Sequence, residues 1–455
     1  MPLFSFCSTG MVRMRKESDS IGELKVPKDA PWGIYTERVL SVYPQEGIAS
    51  VPEKFLRNYI KAKIVYATVN ARFRKIDQNT KKVIHAVGKS LLKLESEEFM
   101  TYFPIRQIQS GGGTSTNMMV NEVMANLASQ ALGKKFGSWK INSHDHLNMS
   151  QSSNDTFPWV CKLTSSEQAT SLIKELQKLI WVFKKKWSNR KSIKKVGRTH
   201  LQDAVIISLG DEMKGYARSL EKNKKYLEQS LQVIKELNFW WTATWSLQNI
   251  TPALRKELTR EFTKMYKTKF IHTKDFFEQN SSSADLAHLS QSLVLLANTM
   301  IKISWDLRLM SSWPLAGIGE LILPTVQPGS SIMPGKVNPS VLEAVTMTSA
   351  KVIWIDHTIQ VLSRQAQLEL QQFMPGIAFP LFESLQWMKE TITMMNLKCI
   401  KWMKPNKTRI SELLEWSFSY ATDYSEKLWY ETVAKLVKKA LKEKRNLREL
   451  LDAAM

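Results

Sequence analysis

Cysteine, glycine and long apolar runs are scarce in this chain. Three cysteines in 455 residues, Cys7, Cys161 and Cys399, are odd in number and far apart. That excludes a CxxC metal or redox motif and a ready ligand set for an iron–sulfur cluster, and it fits a reducing cytoplasm. No apolar run reaches the roughly 18 residues that a membrane-spanning helix needs, so no membrane contact is expected. The opening MPLFSFCSTG lacks a basic start, and its apolar stretch is too short for a signal peptide. Residues 1–14 are therefore expected to be a disordered extension. Glycine is also thin, at 18 residues, against a usual share of ~7%.

Basic residues are abundant: 64 Lys and Arg oppose 42 Asp and Glu, for a net charge of +22. Such a charge suggests a nucleic-acid partner. The lysines are scattered over helical stretches, however, as in WVFKKKWSNRKSIKK (181–195), and no zinc-finger, RNA-binding or helix-turn-helix pattern accompanies them. A solvated lysine face is the better reading, and a nucleic-acid partner is not expected. The same positive field would gather small dianions.

Helical periodicity dominates the rest. Leu209, Met213, Tyr216, Leu220, Leu227, Leu231 and Ile234 recur at three- and four-residue steps. Segments 284–312 and 341–370 are apolar on several faces, as helices inside a bundle are, and 377–401 and 407–420 add more helical pattern. Only 20–33 reads as a short strand or hairpin. The expected architecture is all-α: an N-terminal helical domain (15–150), a central bundle of long helices (151–406) and a small C-terminal helical domain (407–455).

Four irregular polar patches interrupt this background. QSGGGTSTNMMVNE (109–122) places glycines ahead of hydroxyls and a helix, freeing N–H groups where an anion can bind. NMSQSSNDTFP (148–158) clusters hydroxyls and amides, which N-cap chemistry explains about as well. In GRTHLQDA (197–204), Thr199 and His200 are expected to open a helix, and a lone histidine is more often structural than catalytic. PGSSIMPGKVNP (328–339) gathers three prolines, two glycines, a serine pair, Lys336 and Asn338 in one irregular loop. Neither Pro nor Gly favours a helix there. Taken alone, the loop reads equally well as a surface linker.

Together these patches resemble the fumarase/aspartase superfamily. GSSIMPGKVNP matches its signature loop almost letter for letter, SQSSND and GRTHLQDA follow in the family's order, and DSIGELKVPKDAPWGIYTER (19–38) resembles its N-terminal segment. The resemblance implies a homotetramer with a twenty-helix core and active sites each built from three subunits. It also implies a small four-carbon dicarboxylate substrate and no metal or organic cofactor. Ser330 would be the base that removes the C3 proton, with Lys336 and loop N–H groups stabilising its alkoxide. Gly112, Gly113, Thr114, Ser152, Ser153, Asn154, Thr199, Ser331, Lys336 and Asn338 match substrate-binding positions. His200 matches the residue on the leaving-group side, and Glu343 would orient its imidazole. SSND, Gln109, PWGIYT and EAVTM lean toward the class II fumarase branch, whereas LPTVQPGSS and the GTS of 113–115 lean toward aspartase.

Three departures stand out. NSHD (142–145) replaces the family's HPND, which puts a secondary dicarboxylate site in doubt. Leu315 stands where the family usually has Arg. NFWWTATWSLQN (238–249) resembles a segment with the pattern GGTAVGTG, so Trp240, Trp241 and Trp245 fall on glycine positions, as do Trp313, Trp354, Trp402 and Trp429. Tryptophan offers neither positive φ nor close backbone approach, and forcing it into packed helices costs about 1–3 kcal/mol per site. The expectation is that these seven codons are UGA, read as glycine in the source organism; the competing reading is a decayed, non-catalytic homologue. Trp32 fits the family as tryptophan.

Overall fold

The computed structural model describes residues 13–109, 111–187, 189–237, 251–313 and 315–455. Of the expected extension, residues 1–12 lie outside the described residues, while Met14 belongs to the first described element, a hairpin of β1 (Met14–Asp19) and β2 (Gly22–Pro27), as the 20–33 stretch suggested in part. Six helices follow: α1 (Ile34–Val42), α2 (Glu53–Arg72), α3 (Gln78–Leu91), α4 (Ser96–Thr101), α5 (Thr114–Ala131) and α6 (Ser153–Val182). A second antiparallel hairpin joins β3 (Lys194–Thr199) to β4 (Gln202–Ser208). The long helices α7 (Leu209–Val233), α8 (Pro252–Tyr266), α10 (Ala284–Met310), α11 (Ser340–Ser363) and α12 (Met374–Met395) come next, with short α9 (Phe276–Ser281) between α8 and α10. Helices α13 (Lys407–Glu415), α14 (Ala421–Leu428), α15 (Tyr430–Glu443) and α16 (Leu447–Asp452) close the chain. Only two-stranded pairs interrupt the helices among the described residues, so the fold is all-α as expected. No helix among the described residues is long and apolar enough to cross a membrane.

Packing divides the chain into two compact units, and each boundary falls inside a long helix. The first takes the described residues up to Thr170, with Gln229–Gln291 and Trp354–Leu385. Its core is aromatic: Phe55 sits edge-on to Tyr59, Phe157 and Phe379 with centroids 5.5, 5.1 and 5.4 Å away. Local chemistry sets the helix starts. Asp77 accepts Thr80 N–H to cap α3, and Thr251 accepts Leu254 N–H ahead of Pro252 at the first turn of α8. The start of α1 is held by a distant carboxylate: buried Glu122 accepts the N–H groups of Gly33, Tyr35 and Thr36 and the Thr36 hydroxyl.

The second unit takes Ser171–Glu228, Ser292–Ile353 and Gln386–Met455. Here GRTHLQDA departs from expectation, since Thr199 and His200 open no helix. They stand at the tip of the β3–β4 hairpin, where His200 and Leu201 both have positive φ, 53° and 62°. The Thr-His pair imitates a helix cap in the sequence, but 194–208 is a strand–turn–strand segment. A bulge at Gly197 hides its alternation: a Cβ there would lie 2.5 Å from the Val205 carbonyl oxygen. Beneath the hairpin, the Glu320 carboxylate is fully buried between two cations, Lys195 Nζ at 2.9 Å and Arg198 Nη1 at 2.8 Å. Lys195 also reaches Glu212 at 3.0 Å. Further along, Val433, Ala440, Leu447, Leu450 and Leu451 form a separate small core under α14–α16.

Of the seven tryptophans on glycine positions, Trp240, Trp241 and Trp245 lie outside the described residues. Trp313, Trp354, Trp402 and Trp429 are all exposed, so in one chain their bulk is not forced into a packed core. Trp32, by contrast, is 8% exposed, and its indole N–H donates to Glu37 at 2.9 Å. The steric objection therefore gives way to a conformational one at a single site. Trp429, between α14 and α15, has φ 64° and ψ 144°. That corner of backbone space is close to glycine-only, and holding a side chain there costs about 1–3 kcal/mol. The backbone at 429 is shaped for glycine.

Two outcomes follow from these contacts. Replacing Glu320 by Ala leaves Arg198 without its carboxylate and buried Lys195 with Glu212 alone, and should cost about 3 kcal/mol in urea unfolding; a loss under about 1 kcal/mol would refute the bracing role of that carboxylate. Trp429→Gly should raise the unfolding midpoint, and intact mass spectrometry of protein from its native host should find glycine at all seven positions. Intact tryptophan at 429 in native protein would end the recoding reading.

Candidate active site

Two groups of sequence-marked residues assemble, one in each unit. In the first unit the glycine loop turns through three consecutive left-handed residues, with φ 71° at Gly111, 60° at Gly112 and 95° at Gly113. At Gly113 both demands for glycine coincide, because a Cβ would also fall 2.2 Å from the Phe157 ring. The turn delivers Thr114 to the first position of α5, its hydroxyl donating to Gly111 O at 2.7 Å. Gln109 Oε1 steadies that helix start by accepting from Thr116 N (3.0 Å) and Thr116 Oγ1 (2.7 Å).

Ser152, Ser153 and Asn154 come to the same place. A Cβ on Gly112 would sit 3.9 Å from Asn154 Oδ1, so the glycine loop and the start of α6 lie side by side. Ser152 Oγ accepts Asn154 N–H at 3.2 Å while Asp155 accepts Ser152 N–H at 3.1 Å, a reciprocal cap. Two helix N-termini thus converge with hydroxyl and amide groups between them, an arrangement that suits an anion. The NSHD stretch nearby keeps an ordered turn, with Asn142 Oδ1 accepting the N–H groups of His144 and Asp145.

In the second unit the loop 328–339 closes on itself. Gly329 N–H donates to Lys336 O at 2.8 Å, and Asn338 Nδ2 donates to Gly329 O at 2.8 Å. A Cβ on Gly329 would lie 2.7 Å from Lys336 O and 2.8 Å from Asn338 N, so this closure admits only glycine. Inside it, Ser330 Oγ accepts two backbone N–H groups, from Ile332 at 3.2 Å and Met333 at 3.0 Å. Those donors favour a negative oxygen over a neutral one. The stabilising N–H groups thus come from Ile332 and Met333; glycine supplies the fold of the loop. Ser331 and Lys336 are exposed beside it.

The side chains of the remaining residues make no hydrogen bond or ion pair with these two groups among the described residues. Thr199 and His200 are exposed on their hairpin tip, and Glu343, in the first turn of α11, faces Arg308 at 3.6 Å. Among the described residues no hydrogen bond or ion pair joins His200 to Ser330 or Glu343. Supporting residues went unassigned: Lys63, Lys195 and Glu320 lie outside the four patches, while Arg198, Asn117 and Gln151 lie inside them without a role given. The available signal was a charged residue inside an apolar run, as Lys63 is in YIKAKIVYA (59–67).

Comparison with known proteins identifies the family of the chain. Residues 22–353 match the lyase family. The class II fumarate hydratase of Helicobacter pylori is 36% identical over 440 residues, covering 96% of this chain and 94% of its own; that of Campylobacter jejuni is 36% identical over 437 residues with the same coverage. Among solved structures, the class II fumarase of Schistosoma mansoni superposes with a TM-score of 0.89 at 30% identity, covering 96% of this chain and 94% of its own. The fumarate lyase:delta crystallin of Brucella melitensis gives 0.87 at 31% identity, covering 96% and 99%. The chain therefore belongs to the lyase family and has the fumarase/aspartase fold.

Proposed function

We propose that this protein is a fumarate hydratase that interconverts fumarate and malate by anti addition and elimination of water, working as a homotetramer with shared sites. The observation that carries the reading is the Ser330 oxygen with its two backbone donors. A serine hydroxyl is a weak base near neutral pH, and preorganised N–H groups lower the cost of its alkoxide. In the malate-to-fumarate direction Ser330 takes the C3 proton. The electron pair moves into the adjacent carboxylate, which then carries two negative charges. It returns to form the C2–C3 double bond as the C2 hydroxyl leaves, protonated on the His200 side, as water.

The dianion needs fixed donors. Gly112, Gly113, Thr114, Ser152, Ser153 and Asn154 supply them from the paired helix starts, while Thr199, Ser331, Lys336 and Asn338 supply them from the hairpin tip and the loop. In this reading the tetramer brings the separated groups together, and Glu343 of one subunit orients His200 of the partner subunit. The +22 net charge favours capture of a dianionic substrate.

Aspartate ammonia-lyase is the second reading, favoured by LPTVQPGSS and by the GTS of 113–115. One assay separates the two. Loss of fumarate ultraviolet absorbance without ammonium ions supports hydration, and loss only with them supports the ammonia-lyase. Activity in neither case, for the chain as printed and with glycine at the seven tryptophan positions, overturns both and leaves an inactive homologue. Ser330→Ala should lower kcat about a hundredfold or more and leave the oligomer intact by light scattering. Wild-type turnover in that variant would remove Ser330 as the base.

A further inference from the structure

Beneath the start of α6 a chain of polar groups, with Lys63 and Asn117 buried, leads to Ser153, and apart from Ser153 the reaction as described does not use it. Lys63, midway along α2, is 1% exposed, and its Nζ donates to Asn117 Oδ1 and Gln151 Oε1, each at 2.7 Å. Burial pushes its amine well below the ordinary lysine range. Charged or neutral, the amine still carries at least two N–H groups, enough for both oxygens. Backbone carbonyls, which only accept, anchor the orientation of the amides from the far side and turn an oxygen toward the amine. Gln151 Nε2 therefore turns to the carbonyls of Leu147 (2.8 Å) and Met149 (3.2 Å). Asn117 Nδ2 turns to Asn148 Oδ1 (3.0 Å) and Ser153 Oγ (2.9 Å). Asn148 cannot reverse freely, since its Oδ1 also accepts from Asn121 at 3.1 Å and its Nδ2 donates to Gln151 O at 3.2 Å.

Ser153 is the last link. Its oxygen receives the Asn117 proton, so its own proton cannot point back along the chain. The residue is half-buried, and that proton is left for the open side between the two helix starts.

We propose that Lys63 is a positioning residue that sets hydrogen-bond polarity at the substrate site. A donor at the buried end, passed through Asn117, makes the Ser153 hydroxyl a donor at the open end and so selects a ligand atom that only accepts, a carboxylate oxygen. The inference deepens the hydratase reading and rests on it for the place of Ser153 beside the dicarboxylate. An Asn117 side chain of the opposite orientation would turn the Ser153 proton inward and present a lone pair to the anion.

Asn117→Asp makes that reversal with little change of shape. Its carboxylate accepts from Lys63 and also from Ser153. The expected result is a KM for fumarate raised about ten- to a hundredfold, with a much smaller change in kcat and the thermal midpoint and oligomer retained. Calorimetric binding of succinate should weaken by a similar factor. Ser153→Ala should weaken both alone, and adding Asn117→Asp to it should change neither further, because the relay acts through that hydroxyl. If Asn117→Asp fails to fold, Lys63→Met carries the test: freeing the Asn117 amide should weaken succinate binding, and again only while Ser153 is present. Wild-type affinity in the folded variants, or effects that add fully to Ser153→Ala, would overturn the inference. A wild-type protein that binds succinate but leaves fumarate unchanged sinks the hydratase reading while the binding arm still decides the relay. One that binds no succinate overturns the relay as well.

Discussion

The closure of residues 329–338 depends on the absence of a single carbon. With no Cβ at Gly329, its N–H meets Lys336 O and the Asn338 amide meets its carbonyl, and the chain between them is bent so that two N–H groups converge on Ser330 Oγ. Any larger residue would push these strands of loop apart and release the serine. The prolines on either side limit the alternatives that an unfolded loop can sample, so the entropy lost on ordering it is smaller than its length implies. A loop without regular structure can in this way hold one oxygen in a defined electrostatic setting.

A common economy runs through the supports. The hairpin tip stands over Glu320 with two cations, and the start of α6 stands over Lys63 with two amides. Buried polar and ionisable groups of this kind contribute little net stability, since desolvation offsets most of their attraction. Their strength lies in direction, because each allows one arrangement of donors and acceptors while apolar packing tolerates several. Both sit beneath residues that must present a polar atom at a fixed angle.

Much of this was legible in the letters. The long helices announced themselves through periodic apolar residues, and α7 begins at the Leu209 of its stripe. The loop 328–339 and the glycine turn were visible because Pro and Gly report backbone needs directly. GRTHLQDA misled because a threonine and histidine ahead of polar residues imitate a cap, while the Gly197 bulge breaks the alternation that marks a strand. Two positive φ values at His200 and Leu201 could not be read from residue types that rarely adopt them. The roles of Lys63 and Glu320 were hidden for another reason: a charged residue in a helix or loop states neither its burial nor its partners, which lie 54 and 88 positions away for Lys63.

The glycine-shaped backbone at Trp429 reaches into any laboratory handling of the protein. A gene rewritten to encode the printed letters would place an indole at each of the seven positions in a standard expression host, and in a single chain the four described ones stand in water. Such material would absorb near-ultraviolet light more strongly than the natural polymer and fluoresce with the red-shifted colour of wet indoles. Concentrations taken from the printed letters would then be wrong for the natural protein, and a spectrum would tell the two polymers apart before any assay was run.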